Sequence, residues 1–162
     1  KKCLEIKDSV SGRVYDRNEE FSGFELLINN IPVMCKGANW VPSEPFPSDE
    51  SDEKITELLT LAKEAGVNML RIWGGGIYER DAFYDACDEL GFVLWAEIPY
   101  ISQHMPKGRE NTITQMKELI SQNYNHPSIF VWGLSNEITM KGADDPDLIE
   151  NHHILNNPIL SY

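Results

Sequence analysis

Short apolar runs alternate with amphipathic helical stretches along most of this chain. The first helix is predicted over 51–65, where Ile55, Leu58, Leu59 and Ala62 recur at i, i+3, i+4 and i+7 on one face. Gly66 is placed to end it. A second helix is predicted over 80–90, with Phe83, Ala86, Cys87 and Leu90 at the same spacing and Gly91 as its stop. A third spans about 111–124, with Ile113, Met116, Ile120 and Tyr124 on one face. A last helix starts at Asp145-Pro146, an N-cap followed by proline at the first helical position, and fades near Asn156-Asn157-Pro158.

The apolar runs between these helices cover 33–40, 67–73, 92–98 and 128–134. Strands that are apolar throughout and separated by helices indicate a parallel sheet with both faces covered. Upstream, Phe24-Glu25-Leu26-Leu27-Ile28 is strand-like and Asn29-Asn30 makes a turn before Ile31-Pro32-Val33-Met34-Cys35. That reads as a hairpin leading into a new domain, which divides the chain into 1–30 and 31–162. The repeat is roughly 30 residues, the size of a βα unit with its loop. Four such units fit after residue 31, whereas a closed (β/α)₈ barrel has eight and needs about 250 residues. The predicted fold class is therefore α/β, the first half of a (β/α)₈ TIM barrel. The alternative, an open doubly wound sheet, would show a glycine-rich phosphate loop after its first strand. Here that strand is followed by Asn39-Trp40-Val41-Pro42, which is unlike a phosphate cradle.

Charge narrows the function classes. The formal net charge of −12 repels phosphate backbones, which argues against nucleic-acid binding. The acidic side chains at 49–53, 79–89 and 144–150 read as solvated helix faces. Cys3, Cys35 and Cys87 are odd in number and widely spaced, without metal-ligand spacing, so they read as free buried thiols. No apolar run approaches the roughly 20 residues of a membrane span. The first residues, Lys1-Lys2-Cys3-Leu4-Glu5, lack the apolar stretch of a signal peptide, which leans toward a cytoplasmic setting. The chain does not begin with Met, which suggests that it is cut from something longer.

Barrel sites lie at the C-terminal ends of the strands. Those ends read Asn39-Trp40, then Arg71 and Trp73, then Glu97, then Asn136-Glu137. Aromatics with carboxylates and amides suit a sugar, whose hydroxyls need planar donors and acceptors and whose C–H faces stack on indole rings. Glu137 follows the apolar run Ile129-Phe130-Val131-Trp132; desolvation at the end of a buried strand would raise its pKa, as a general acid requires, or it caps the following turn. Arg71 either orients a neighbouring carboxylate or makes a structural salt bridge at the rim. Glu97 is a substrate ligand or a partner of Arg71. Strand alternation makes Trp95 and Trp132 packing residues. The Gly74-Gly75-Gly76 triplet lacks a phosphate-loop pattern and reads as a close-approach loop at the site rim. His104 reaches the site from the third loop or sits exposed on it. His126, before Pro127 at the start of a strand, reads as structural, and His152-His153 has no ligand spacing.

The stretch Asn125-His126-Pro127-Ser128-Ile129-Phe130-Val131-Trp132-Gly133-Leu134-Ser135-Asn136-Glu137 resembles the acid/base signature of glycoside hydrolase family 2, which includes β-galactosidases, β-glucuronidases and β-mannosidases. Phe83-Tyr84-Asp85-Ala86-Cys87-Asp88-Glu89-Leu90-Gly91 resembles its second helix, Trp95-Ala96-Glu97-Ile98-Pro99 its third strand end, and Lys36-Gly37-Ala38-Asn39-Trp40 its first. The resemblance covers roughly 24–157. It implies a retaining mechanism with Glu137 as acid/base, Asn136 on the sugar 2-hydroxyl, Arg71 supporting the nucleophile, and Asn39 and Trp40 lining the sugar site. It also makes 1–30 the tail of a β-sandwich region preceding the barrel.

The family's nucleophile lies on a seventh strand, beyond the four units here, and a retaining pair needs carboxyls about 5–5.5 Å apart. These residues alone are thus expected to be inactive, with open barrel edges that pair with the remainder of the barrel or with a second copy. Asn39-Trp40-Val41-Pro42 and Arg71-Ile72-Trp73-Gly74-Gly75-Gly76-Ile77-Tyr78-Glu79 resemble the β-mannosidase branch, whereas residues 95–154 look more like β-galactosidases. The resemblance implies a carbohydrate substrate, a terminal β-galactoside ahead of a β-mannoside, in a reaction that needs no cofactor. The competing class is a carbohydrate-binding or structural fragment that holds sugar without cleaving it.

Overall fold

The computed structural model describes residues 4–8, 24–29, 31–100, 109–133 and 136. Its first part is an antiparallel sheet of three strands, β1 (Leu4–Asp8), β2 (Phe24–Ile28) and β3 (Ile31–Val33), in the order β1-β2-β3. Leu26 pairs with Val33 and Ile28 with Ile31, so the hairpin read from the sequence is present. Asn29 turns it with φ 52°, a left-handed conformation that asparagine tolerates better than most residues.

The apolar run over 33–40 is two strands rather than one. Val33 closes the hairpin, and β4 (Gly37–Trp40) opens a second sheet. The link between them is held by Asn68, whose Oδ1 accepts from Lys36 N at 2.7 Å and whose Nδ2 donates to Met34 O at 2.9 Å. One amide side chain thus satisfies backbone groups that a continuous strand would have paired. Cys35 sits in this link and is exposed, contrary to the expectation of a buried thiol; Cys87 is buried and free. Cys3 lies outside the described residues.

The second sheet is parallel, in the order β4-β5-β6-β7, with β5 (Met69–Ile72), β6 (Val93–Glu97) and β7 (Ile129–Gly133). Helices α1 (Asp52–Glu64), α2 (Asp81–Leu90) and α3 (Arg109–Asn123) follow the first three of these strands. Ser51 caps α1 by accepting from Lys54 N, and Gly91 ends α2 at φ 71°, where a side chain would be strained. This succession, with its sequential parallel pairing, is a partial α/β barrel.

One face of the sheet carries Trp40, Leu70, Ile72, Leu94 and Ala96, packed on Ile55 and Leu59 of α1 and Phe83, Tyr84 and Cys87 of α2. Each large apolar side chain wholly buried there contributes roughly 1.5–3 kcal/mol. A smaller cluster joins Met116 and Leu119 of α3 to Ile98 and Tyr100. Tyr124 does not share that face and is 67% exposed; Asn123 is buried instead, its Nδ2 donating to Leu119 O. The last predicted helix lies outside the described residues. Among the described residues, no helix is long and apolar enough to cross a membrane.

The opposite face is where alternation sends every second side chain. Asn39, Arg71, Trp95 and Val131 stand in register across the four strands. Trp95, expected to pack, is 40% exposed here, because its position in the pleat is that of Arg71 and not that of Leu94. Trp132 does pack, against both core clusters.

Candidate active site

At the C-terminal ends of the strands, Arg71 is the hub of a polar network. Its Nε donates to Glu97 Oε1 at 2.7 Å and its Nη2 to Glu97 Oε2 at 2.8 Å, a bidentate pair that fixes the plane of the guanidinium. Nη2 also donates to Asn136 Oδ1 at 2.7 Å, and Nη1 to Asn39 Oδ1 at 3.2 Å. The guanidinium carbon lies 5.8 Å from the centre of the Trp95 ring, so the cation also rests over an indole face.

Trp73 follows β5 and adds a second donor to Asn136 Oδ1, its indole N–H at 3.1 Å. Asn136 is itself placed by its backbone N–H, which donates to Tyr100 O at 2.8 Å. The oxygen Oε2 of Glu97 also accepts from Gly74 N at 2.9 Å. Close approach explains the first glycine of the triplet. A Cβ at residue 74 would stand 3.0 Å from Glu97 Oε2 and 3.2 Å from Asn136 Cβ. Gly133 on β7 leaves similar room, since a Cβ there would collide with Glu97 Cγ and Trp95 Nε1.

The structure therefore brings Asn39, Arg71, Trp73, Glu97 and Asn136 together. Of the two roles open for Glu97, its geometry is that of the Arg71 partner. It is 4% exposed, and three N–H donors occupy its two oxygens. Trp40 is placed elsewhere. Residues 39 and 40 are adjacent on β4 and point to opposite faces, so Asn39 reaches Arg71 while Trp40 enters the core. Trp40 is 9% exposed, with its ring 5.0 Å from that of Phe83 and its indole N–H donating to Glu79 Oε1 at 3.1 Å. Glu137 and His104 lie outside the described residues.

Two carboxylates that read as solvated helix faces are instead drawn inward. Glu50 is buried, with Oε1 accepting from Ser43 Oγ at 2.6 Å and Ser43 N at 3.2 Å. Glu79 is pushed up from 4.5 to about 7 by burial, and next by the Glu50 charge; the Trp40 N–H works the other way. Both lie next to the strand-end loops, and neither carries a local sequence signal, because loop packing and not periodicity buries them.

Comparison with known proteins is consistent with this geometry. A sequence model of the TIM barrel domain of glycosyl hydrolases family 2 matches residues 20–157. The chain belongs to glycosyl hydrolases family 2. Among curated relatives, it is 38% identical over 121 residues to a β-mannosidase of Rattus norvegicus, a match covering 70% of this chain and 13% of that protein. Among solved family 2 structures, a β-D-mannosidase from Dictyoglomus thermophilum superposes with a TM-score of 0.69 at 38% identity, covering 85% of this chain and 16% of that one. An FMN-binding β-glucuronidase from Facaelibacterium prausnitzii L2-6 gives 0.70 at 36% identity, over 85% and 21%. The chain thus spans about an eighth to a fifth of the length of these family 2 relatives.

Proposed function

We propose that these residues supply the acid/base half of a retaining O-glycosidase that removes a terminal β-linked sugar. The observation that carries this reading is the amide of Asn136, the residue directly before Glu137, held at the strand ends by Arg71 and Trp73. In this reading Glu137 protonates the glycosidic oxygen, and then takes a proton from the water that releases the sugar from the nucleophile. Asn136 binds the sugar 2-hydroxyl. Arg71 has one Nη1 N–H left after its four bonds, and that group supports the nucleophile carboxylate supplied by a later strand. Asn39 of β4, Trp73 just after β5 and Trp95 of β6 line the sugar site. We assign the antiparallel sheet of β1, β2 and β3 to the preceding β-sandwich region and the residues from β4 onward to the first half of the barrel; because β3 pairs with β2, the boundary belongs after Val33 and not at 30. The partner of the open face is then the rest of the same barrel.

For the sugar, β-mannose moves ahead of β-galactose. The mannosidase-like stretches, Asn39-Trp40-Val41-Pro42 and residues 71–79, supply Asn39, Arg71 and Trp73, and the relatives in the 32–38% identity range include several β-mannosidases. The test is hydrolysis of nitrophenyl β-mannoside, β-galactoside and β-glucuronide by the full-length protein, with Glu137→Gln alongside. Turnover of β-mannoside that falls by at least about 100-fold in the variant is the expected result. Full activity in the variant, or a folded wild type inert on all three, removes the assignment.

A further inference from the structure

The reading above gives roles to Asn136, Arg71 and Trp73 but none to Glu97, the most enclosed charge of the network. We propose that Glu97 is a positioning residue that decides which end of the Asn136 amide meets the substrate. Asn136 then offers an N–H donor, and the substrate group it meets must accept. This rests on the glycosidase reading.

An asparagine side chain can turn either its oxygen or its nitrogen to a ligand, and the two ends have opposite hydrogen-bonding character. Here the choice is made by the neighbours. A guanidinium and an indole N–H can only donate. Both meet the same atom of Asn136, at 2.7 Å from Arg71 and 3.1 Å from Trp73, so that atom is the oxygen. Two donors fill its two lone pairs. Whatever Asn136 offers a ligand, it offers from Nδ2.

Arg71 has a long, flexible stem and would not hold this position unaided. Glu97 grips it through Nε and Nη2, and leaves the second Nη2 hydrogen aimed at Asn136. Glu97 is in turn fixed by the Gly74 N–H, and it fits only because residues 74 and 133 lack side chains. Arg71 of β5, the Gly74 loop and Gly133 of β7 therefore converge on Glu97, whose effect reaches the substrate through Arg71 and Asn136. A sugar hydroxyl that accepts from Nδ2 keeps its own proton for another partner. A sugar with hydrogen at that carbon forfeits the contact, and one with an ammonium group there has no lone pair to receive it.

Glutamine at 97 would keep the shape but replace one acceptor oxygen with an NH₂ that faces a donor of Arg71 in either orientation, and Gly74 N as well in one of them. The experiment uses the full-length protein, as wild type and Glu97→Gln, on the nitrophenyl β-glycoside that the enzyme turns over and on its 2-deoxy counterpart. Wild type is expected to favour the hydroxylated substrate by about 100-fold or more. In Glu97→Gln the preference should collapse toward unity: kcat/KM on the hydroxylated substrate falls about 100-fold further than on the 2-deoxy one, which loses only what a displaced Arg71 costs at the nucleophile. Equal losses on both substrates, with the preference intact, would mean a merely structural role and overturn the proposal. If Glu97→Gln does not fold, Glu97→Asp, too short to span both Arg71 and Gly74, is read by the same ratio. A crystal structure of whichever variant folds supplies a measurement without turnover. Separation of Arg71 from Asn136 Oδ1 supports the proposal, and an unchanged network ends it. If wild type is inert on every glycoside, the glycosidase reading fails by itself, and the crystal structure still decides what Glu97 positions.

Discussion

Glu79 shows most directly how a single residue here departs from its ordinary chemistry. Its Oε1 accepts from Trp40, while Oε2 is buried without a partner among the described residues. Burial and the Glu50 charge together raise it from 4.5 to about 7. A carboxyl whose folded value lies above its unfolded one binds protons more tightly in the native state. Its contribution to stability is full below about 4.5 and is lost as pH rises through about 7. The difference is on the order of 3 kcal/mol. Glu79→Gln keeps an acceptor for Trp40 and removes the titration. The barrel transition of this variant, followed by calorimetry at pH 5, 6.5 and 8, should fall less with pH than that of wild type and lie higher at pH 8. Parallel pH profiles would show that Glu79 is not the group responsible. This residue was not legible in the sequence, where it fell within an acidic stretch that looked solvated. Arg71, Glu97 and Asn136 were legible as strand-end polar groups. Their pairing was not, because spacing places residues at a rim without saying which of them touch.

The elements themselves were largely readable, since the core-facing positions of α1 and α2 follow from the period of 3.6. The two misreadings have local causes. Tyr124 matched the apolar period of α3 but lies one residue past its end, where the chain has turned away. The run over 33–40 reads as one strand only if Lys36-Gly37 is passed over; that polar-glycine break falls where Asn68 separates β3 from β4. His126 is the structural residue that its position suggested. Its ring lies 5.3 Å from that of Tyr84, and its Nδ1 donates to Asp88 Oδ2 at 2.8 Å. Asp88 Oδ1 also accepts from Ser128 N at 2.9 Å, so one carboxylate on α2 ties down the start of β7. Asp88→Ala would leave both donors unpaired in a half-buried site. The expected loss is about 2–4 kcal/mol, from two hydrogen bonds to a charged acceptor, and it should appear as earlier denaturant unfolding of the barrel in the full-length protein. Asp88→Asn keeps the acceptor for Ser128 and should lose less. If both variants unfold with the wild type, the clamp does not hold β7.

At the scale of the whole molecule, the helices cover one face of the parallel sheet, and the other carries the candidate site. That face holds Arg71, Asn39, Trp95 and Val131 in register, and β4 and β7 each keep one unpaired edge among the described residues. Four strands of a family 2 barrel therefore present a template for the strands that complete it. Two consequences follow for these 162 residues produced by themselves. A retaining reaction needs two carboxyls about 5–5.5 Å apart across the sugar. Glu137 is proposed as one of them. Glu97, at the end of β6, has both oxygens taken by Arg71 and Gly74 and is not free to attack carbon. The isolated chain is thus expected to hydrolyse no nitrophenyl glycoside. Its edges and its half-exposed Trp95 should also make it sediment above monomer mass, and co-expression with the segment that continues the barrel should restore both a single species and turnover. If the isolated chain is an active monomer, its nucleophile lies within these 162 residues, and the division of the two carboxyls between the halves of the barrel is wrong.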